Sequence, residues 1–447
     1  MINKYNFYYR FFVILFWVSM CFNFVVEEFF VPLKSLEFAF SVFVQFAFAL
    51  LGLLLLRNKH DILVIGAFLA ITVLSSLIIN GLPVKMFING LRNFFALLFA
   101  IPVIRFFVTG PGAQEFKARF DKQLQIWLYI QAVCVMWQFF KYGANDAGGG
   151  SMGYGASGMV SMLIYLISYY LVVQKWDFDD FLGSLRRNYA NVLLLLPTFF
   201  NETKISFVLL ILYFLLLYKP SRSAILKVIY VVPVVIALGA GLIATYLHAT
   251  GADADYVLSM DFVDAYFFGA EMDETIEIAM DVQDGYYDDG LEEGQVWLLD
   301  IARLAKFPLT IPELEKTPGG LVLGAGLGNL NGGKRMGESD FSRKNRWMLI
   351  GSRPWSFTLL VETGLCGIIW FFWMMISGFF CGFKYGCFSK RMYFYLGVCI
   401  FLMLFYNEAL WYVNFCIPFF YLGFAVRLVD KGRESSENSI KEAYLSA

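Results

Sequence analysis

Twelve apolar runs constrain what this chain can fold into. They fall at about 9–26, 35–56, 61–79, 86–108, 124–141, 158–174, 188–200, 204–218, 224–247, 356–383, 392–411 and 413–429. A helix needs roughly 20 apolar residues to cross about 30 Å of hydrocarbon, and only the seventh and eighth runs stand out as short. Of 447 residues, 59% are hydrophobic and 16% charged, too apolar a surface for a soluble fold to cover. The expected class is therefore an all-α polytopic membrane protein with about 12 transmembrane helices and one large extracytoplasmic loop. The positive start MINKYNFYYR has no small-residue cleavage site after Val18–Phe24, so the first run is expected to stay as a helix. Of the seven cysteines, six lie in apolar runs and Cys387 in a short basic loop, which reads as small buried hydrophobes rather than a disulfide framework.

Lysine and arginine set the orientation. Arg57 and Lys59, Lys117 with Arg119 and Lys122, Lys175 with Arg186 and Arg187, Lys219 with Arg222 and Lys227, and Lys384 with Lys390 and Arg391 occupy alternate loops. The intervening short loops carry only Lys34, Lys85, Lys141 and Lys204. The basic loops and both termini are thus expected in the cytoplasm. This divides the chain into helices 1–9 over 1–247, an outer loop over 248–355, helices 10–12 over 356–429 and a cytoplasmic tail over 430–447.

The outer loop changes character along its length. Between Asp253 and Glu293 it holds fourteen Asp and Glu residues and no Lys or Arg. Such a run reads as a solvated face. A calcium site is the alternative, since DVQDGYYDDGLEE clusters oxygen ligands, although its spacing is not that of an EF-hand. QVWLLDIARLAKF then carries Trp297, Leu298, Ile301, Leu304 and Ala305 at helical spacing, which predicts an amphipathic helix on the membrane or over the site. Lys334, Arg335, Arg343, Lys344, Arg346 and Arg353 form a basic collar before the chain re-enters the membrane.

Candidate chemistry gathers at that side. Arg92 lies in the outer part of an apolar helix, where a charge implies a partner or an anionic ligand, or else snorkelling to the surface. Glu362 falls inside the tenth run, and Glu408, beside Asn407, near the outer end of the eleventh. Each is placed either for buried polar work or for pairing with Arg92 or Arg353. With Lys204 in NETK and the collar, these cations suit an anionic group at the bilayer surface such as a lipid diphosphate, because guanidinium binds phosphate oxygens bidentately. GAGLGN at Gly324–Asn329 lacks the strand and glycine spacing of a dinucleotide loop and reads as glycines for close backbone approach. NDAGGGSMGYGASG, Asn145–Gly158, reads as a flexible outer linker, with a phosphate-cradling nest as the alternative. No His, Cys or Asp cluster has metal-ligand spacing, so neither metal nor cofactor is expected. A net charge of −1 gives no reason to expect nucleic acid.

The many-helix layout, the single late outer loop, GAGLGN and the helix opening LLVETGLCGIIWFF together resemble the O-antigen ligase and polymerase superfamily of bacteria. The layout covers nearly the whole chain and the motifs about fifty residues. Arg353, ten residues and then Gly364 are similar to the R-x10-G pattern of O-antigen polymerases. Where the family often has a Ser-Arg pair in a short hairpin, this chain has Thr203-Lys204, which keeps the charge and loses the fork. Where ligases have a His-Asn pair nine residues before the helix glutamate, this chain has Arg353-Pro354 before Glu362. The resemblance implies a polymerase of the inner membrane with its site facing the periplasm. It would move a glycan from undecaprenyl diphosphate to a sugar hydroxyl of a lipid-linked repeat unit. Donor, acceptor and membrane lipid would be its partners, together with a chain-length regulator protein. In that reading Arg353, Glu362 and Glu408 are catalytic, and Arg92, Lys204, Arg346 and Arg353 bind the diphosphate. A ligase acting on lipid A core and a lipid-linked oligosaccharide transporter are the alternatives.

Overall fold

The computed structural model describes residues 2–30, 34–143, 148–200, 205–218, 303–331, 339–349, 353–380 and 387–446. All regular structure among them is helical. α1 (Ile2–Phe29), α2 (Lys34–Leu55) and α3 (Lys59–Val73) come first, and α3 widens into a π-helical tail over Leu74–Ile79. Asn58 caps α3 by accepting the His60 N–H at 2.9 Å. α4 (Val84–Asn93) and α5 (Phe95–Thr109) meet at a 47° bend. There the Phe94 N–H reaches Leu91 O, three residues back, and interrupts the ladder. α6 (Ala113–Tyr142) and α7 (Ser157–Val173) are long, whereas α8 (Phe181–Arg187), α9 (Tyr189–Leu193) and α10 (Pro197–Phe200) are short. α11 (Ile205–Leu217) completes the first half. The loop region contributes α12 (Lys306–Glu315), α13 (Gly320–Leu323) and α14 (Asp340–Lys344). Last come α15 (Trp355–Met375), α16 (Cys387–Tyr406) and α17 (Val413–Ser446).

Among the described residues, four stretches are long and apolar enough to cross a membrane: Tyr5–Phe29, Leu36–Leu55, Lys59–Ile79 and Trp355–Gly378. The bent α4–α5 pair makes a fifth. The expected twelve therefore resolve unevenly. The seventh run is broken into α9 and α10, the eighth is the short α11, and the ninth, 224–247, lies outside the described residues. α17 carries the last apolar run and continues as one helix through the tail to Ser446.

Helices that are apolar on all sides belong in the interior of a bundle. α7 shows this: Tyr165, Tyr169 and Tyr170 are fully buried. Burying a phenol requires a partner for its hydroxyl, and Tyr165 OH accepts from Thr198 Oγ1 at 3.2 Å while Tyr169 OH donates to Leu216 O at 3.4 Å. α5 is the second interior helix, packed on α2 and α17, with Leu97, Val103, Ile104 and Phe107 among its fully buried residues.

Charged groups sort to the two ends of the bundle. At one end Arg105 pairs with Asp61 at 2.5 Å and lies over the Phe424 ring. There too Lys117 bonds Asp121 at 2.7 Å, and Tyr421 OH donates to Asp121 at 2.6 Å. Arg391, at the start of α16, donates to Leu216 O and Tyr218 O. Arg57, Lys59, Lys117, Arg119, Lys122 and Arg391 all belong to loops or helix ends of this basic end. The opposite end carries the candidate site.

Candidate functional site

The glycine-rich segment after α13 inserts into the bundle. Residues 324–330 are all buried, wedged between the π-tail of α3, α4 and the first turns of α15. Its backbone is held from three sides. Ser75 Oγ donates to Leu323 O at 2.6 Å, Asn80 Nδ2 to Gly324 O at 3.0 Å, and the Leu327 N–H reaches Ser76 Oγ at 2.8 Å. From α15, Val361 O accepts the Ala325 N–H at 2.8 Å. Close approach requires glycine at these crossings. A Cβ on Gly328 would lie 2.3 Å from Met86 O. Gly364 has φ +64, breaks the regular path of α15, and would place a Cβ 2.5 Å from Val322 O. GAGLGN is thus a close-approach element, as its glycines predict.

Glu362 is the polar anchor of this insertion. The side chain is fully buried on α15, and its Oε1 accepts the N–H groups of Gly328 at 3.1 Å and Leu330 at 3.3 Å. Leu330 links it to Arg353, whose Nη1 donates to Leu330 O at 2.9 Å. The same guanidinium bridges to Glu408 through Nη2 and Oε2 at 3.1 Å and lies 5.4 Å from the centre of the Trp411 ring. Glu408 also accepts from the Thr358 hydroxyl, one turn into α15. One chain of bonds therefore runs Glu362, Leu330, Arg353, Glu408, Thr358. Glu362 is sealed, whereas the Arg353 and Glu408 side chains are 18% and 12% exposed and form the open end of that chain.

The Arg353–Glu408 pair depends on how three elements end. Pro354 caps α15 in an extended conformation, which aims Arg353 away from the helix. α16 stops at Tyr406, and Asn407 Oδ1 accepts the Ala409 N–H, leaving Glu408 on a turn before the short 3-10 segment Ala409–Trp411. Trp347 and Met348 pack with Leu330 and Phe357, so the turn carrying the half-buried Arg346 rests on the residue that bridges Glu362 and Arg353.

Arg92 has other contacts. It reaches Asn93 Oδ1 at 3.5 Å and lies 5.0 Å from the Phe38 ring of α2, and its Nε is buried with no hydrogen-bond partner. Lys204, Lys334, Arg335 and the acidic run 253–293 lie outside the described residues. So does most of QVWLLDIARLAKF; its described end, Arg303–Ala305, is a turn leading into α12.

Two cations near the site escaped sequence reasoning. Arg303 lies 4.8 Å from the Tyr406 ring, and Lys306, fully buried, 5.9 Å from the Phe357 ring. Their sequence context, an apolar helical pattern, drew attention to the hydrophobic residues instead. The linker reading of Asn145–Gly158 needs correction for its described part, 148–158. Gln131 and Gln138, two turns apart on α6, hold it: Gln138 Oε1 accepts the Gly150 N–H at 2.7 Å and Gln131 Oε1 the Ser151 N–H at 2.9 Å. Gly149 to Met152 are buried, so this segment is packed structure. Gly158, at the start of α7, faces Tyr406 and Asn407, which places this loop beside the Arg353–Glu408 turn.

No protein-family model, curated protein or solved structure matches this chain. The site's geometry is therefore the ground for a functional reading.

Proposed function

We propose that this chain is a polysaccharide polymerase of the bacterial inner membrane, working at the periplasmic side without metal or cofactor. The observation that carries the reading is the Arg353–Glu408 pair, partly open and held at 3.1 Å at the end of the bundle opposite the basic loops. The donor is a glycan on undecaprenyl diphosphate, and the acceptor is a sugar hydroxyl of a second lipid-linked repeat unit. The C1–O bond to the diphosphate breaks as the acceptor oxygen bonds to C1. The leaving diphosphate takes the electron pair, and the hydroxyl proton passes to the Glu408 carboxylate. Arg353 has N–H groups beyond the two that bind Leu330 O and Glu408, and these stabilise the charge growing on the diphosphate. Arg346 adds charge beside the pair, Arg92 provides a guanidinium for lipid phosphate, and Lys204, outside the described residues, keeps the diphosphate-binding role its sequence position suggests. Glu362 acts by positioning, because its carboxylate holds the Gly328 and Leu330 backbone on which Arg353 rests.

The test is the lipid-linked glycan of a deletion strain, run on a gel beside wild type. Single repeat units are the expected result. Long free chains in the mutant would transfer the assignment to a ligase, and untouched inward-facing units to a transporter.

A further inference from the structure

A second polar site lies at the outer end of α1 and α6, apart from the Arg353 pair. Glu28 closes α1 with its side chain fully shielded, and its Oε2 accepts from Trp137 Nε1 at 3.1 Å, Lys141 Nζ at 2.9 Å and Tyr142 OH at 3.3 Å. Its Oε1 is buried with no hydrogen-bond partner. Next to it Glu27 Oε2 accepts the Tyr154 N–H at 2.7 Å, and a Cβ on Gly153 would lie 2.6 Å from the same oxygen, so the loop is drawn tightly onto α1. This sets Tyr154 against Tyr142, ring centres 5.4 Å apart at 66°. Trp137, Tyr142 and Tyr154 are nonetheless 48%, 38% and 40% exposed.

That combination is unusual for an aromatic belt. Interfacial Trp and Tyr place their polar tips in the headgroup water, whereas here the Trp137 N–H and the Tyr142 hydroxyl turn inward onto one shielded carboxylate. The rings are thereby fixed while a large part of each stays open. Fixed, open aromatic rings beside carboxylate, ammonium and phenol groups suit a pyranose. Its axial C–H face stacks on a ring, and its hydroxyls both donate and accept at the rim.

We propose that Trp137, Tyr142, Tyr154 and Lys141, with Trp137, Tyr142 and Lys141 held in place by the shielded Glu28 carboxylate, form a saccharide-binding subsite that holds sugar residues of the glycan. This deepens, and in its biological role rests on, the polymerase reading. The Gly148–Gly158 loop connects the subsite to the reacting pair, since Gly158 abuts Tyr406 and Asn407 beside Glu408. A glycan held by the rings would lie along that loop with its reacting residue delivered toward Glu408.

The test is calorimetric titration of the purified full-length protein with two probes. One is short oligosaccharides from acid hydrolysis of the host cell's own surface polysaccharide, and the other is undecaprenyl diphosphate without sugar. Trp137→Ala and Tyr154→Ala are each expected to weaken oligosaccharide binding about tenfold, ~1.4 kcal/mol, and to leave undecaprenyl diphosphate binding unchanged. Trp137→Phe, which keeps a ring and loses the N–H to Glu28, is expected to fall between. If Trp137→Ala is not recovered in the membrane, Trp137→Phe combined with Tyr154→Leu carries the same comparison. Oligosaccharide binding that is absent in wild type, or equal in wild type and variants, overturns the subsite whatever the deletion strain shows. Ring-dependent oligosaccharide binding alongside a deletion strain with normal chain lengths keeps the subsite and overturns the polymerase.

Discussion

Arg353 divides its guanidinium among Leu330 O, Glu408 and the Trp411 ring, a set that a planar fork satisfies and a lysine ammonium does not. If the remaining N–H groups meet a leaving diphosphate, Arg353→Ala is expected to lower the transfer rate about 10²–10³-fold and to stop glycans at single repeats. Arg353→Lys should retain part of the activity. Glu408→Gln keeps the size of the side chain and an acceptor for Thr358 but no basic carboxylate, and a loss of about 10²–10⁴-fold is expected. Arg346→Ala, seven residues earlier in the same collar, should matter much less. Gel analysis of lipid-linked glycan at matched membrane protein level checks all four. Normal long chains from Arg353→Ala would sink the assignment. Arg353 was legible because it ends a basic collar at the exit of a long loop, immediately before an apolar run. Its partner was not, since Glu408 is 55 residues away in sequence and could equally have met Arg92. Glu28 was missed altogether, because carboxylates at the end of a first apolar run are ordinary. Its three donors come from α6, more than 100 residues on.

The element that most needs explaining is the inserted glycine segment. Its glycines were legible as a close-approach sequence, but the partners were not: Ser75, Ser76 and Asn80 lie about 250 residues upstream, at the end of the third apolar run. Locally, nothing marks a loop as buried. The same limit explains the 148–158 segment, whose backbone is satisfied by two glutamines on α6. These contacts set the expected stability of four variants. Gly328→Ala combines a left-handed backbone, about 1–2 kcal/mol, with overpacking against Met86 O, about 1–3 kcal/mol. Gly66→Ala, on the open face of α3 with nothing within 4 Å of the new Cβ, should be neutral or stabilising by up to about 1 kcal/mol. Glu362→Leu orphans the Gly328 and Leu330 N–H groups at about 1–3 kcal/mol each, whereas Glu362→Gln keeps an acceptor oxygen and should cost less. Thermal unfolding of the purified variants in one detergent ranks them. Equal melting temperatures for Gly328→Ala and Gly66→Ala would mean that the loop is not seated as described.

At the scale of the whole molecule the question is which way the bundle faces. The existence of long apolar helices was legible from run length alone. Run length says nothing, however, of the 47° bend at Phe94 or of the breaks that divide 188–200 into α9 and α10. Orientation rests on a separate argument, that alternate loops are rich in lysine and arginine. The structure bears on that argument independently of the loops' order. Arg105, Lys117 and Arg391 gather with Asp61 and Asp121 at one end of the bundle, and the Arg353–Glu408 pair, the Glu28 cluster and both glycine segments gather at the other. The two ends therefore differ in chemistry, and a single measurement of sidedness places every one of these groups. A reporter fused after Arg187 should read the cytoplasm and one fused after Asp289 the outside. Two signals on the same side would mean that the chain between them does not cross the membrane an odd number of times. The reverse pair would turn the Arg353–Glu408 site toward the cytoplasm, where a periplasmic glycan transfer could not reach it. In that event the polymerase reading falls while the bond chain from Glu362 to Thr358 stands as described.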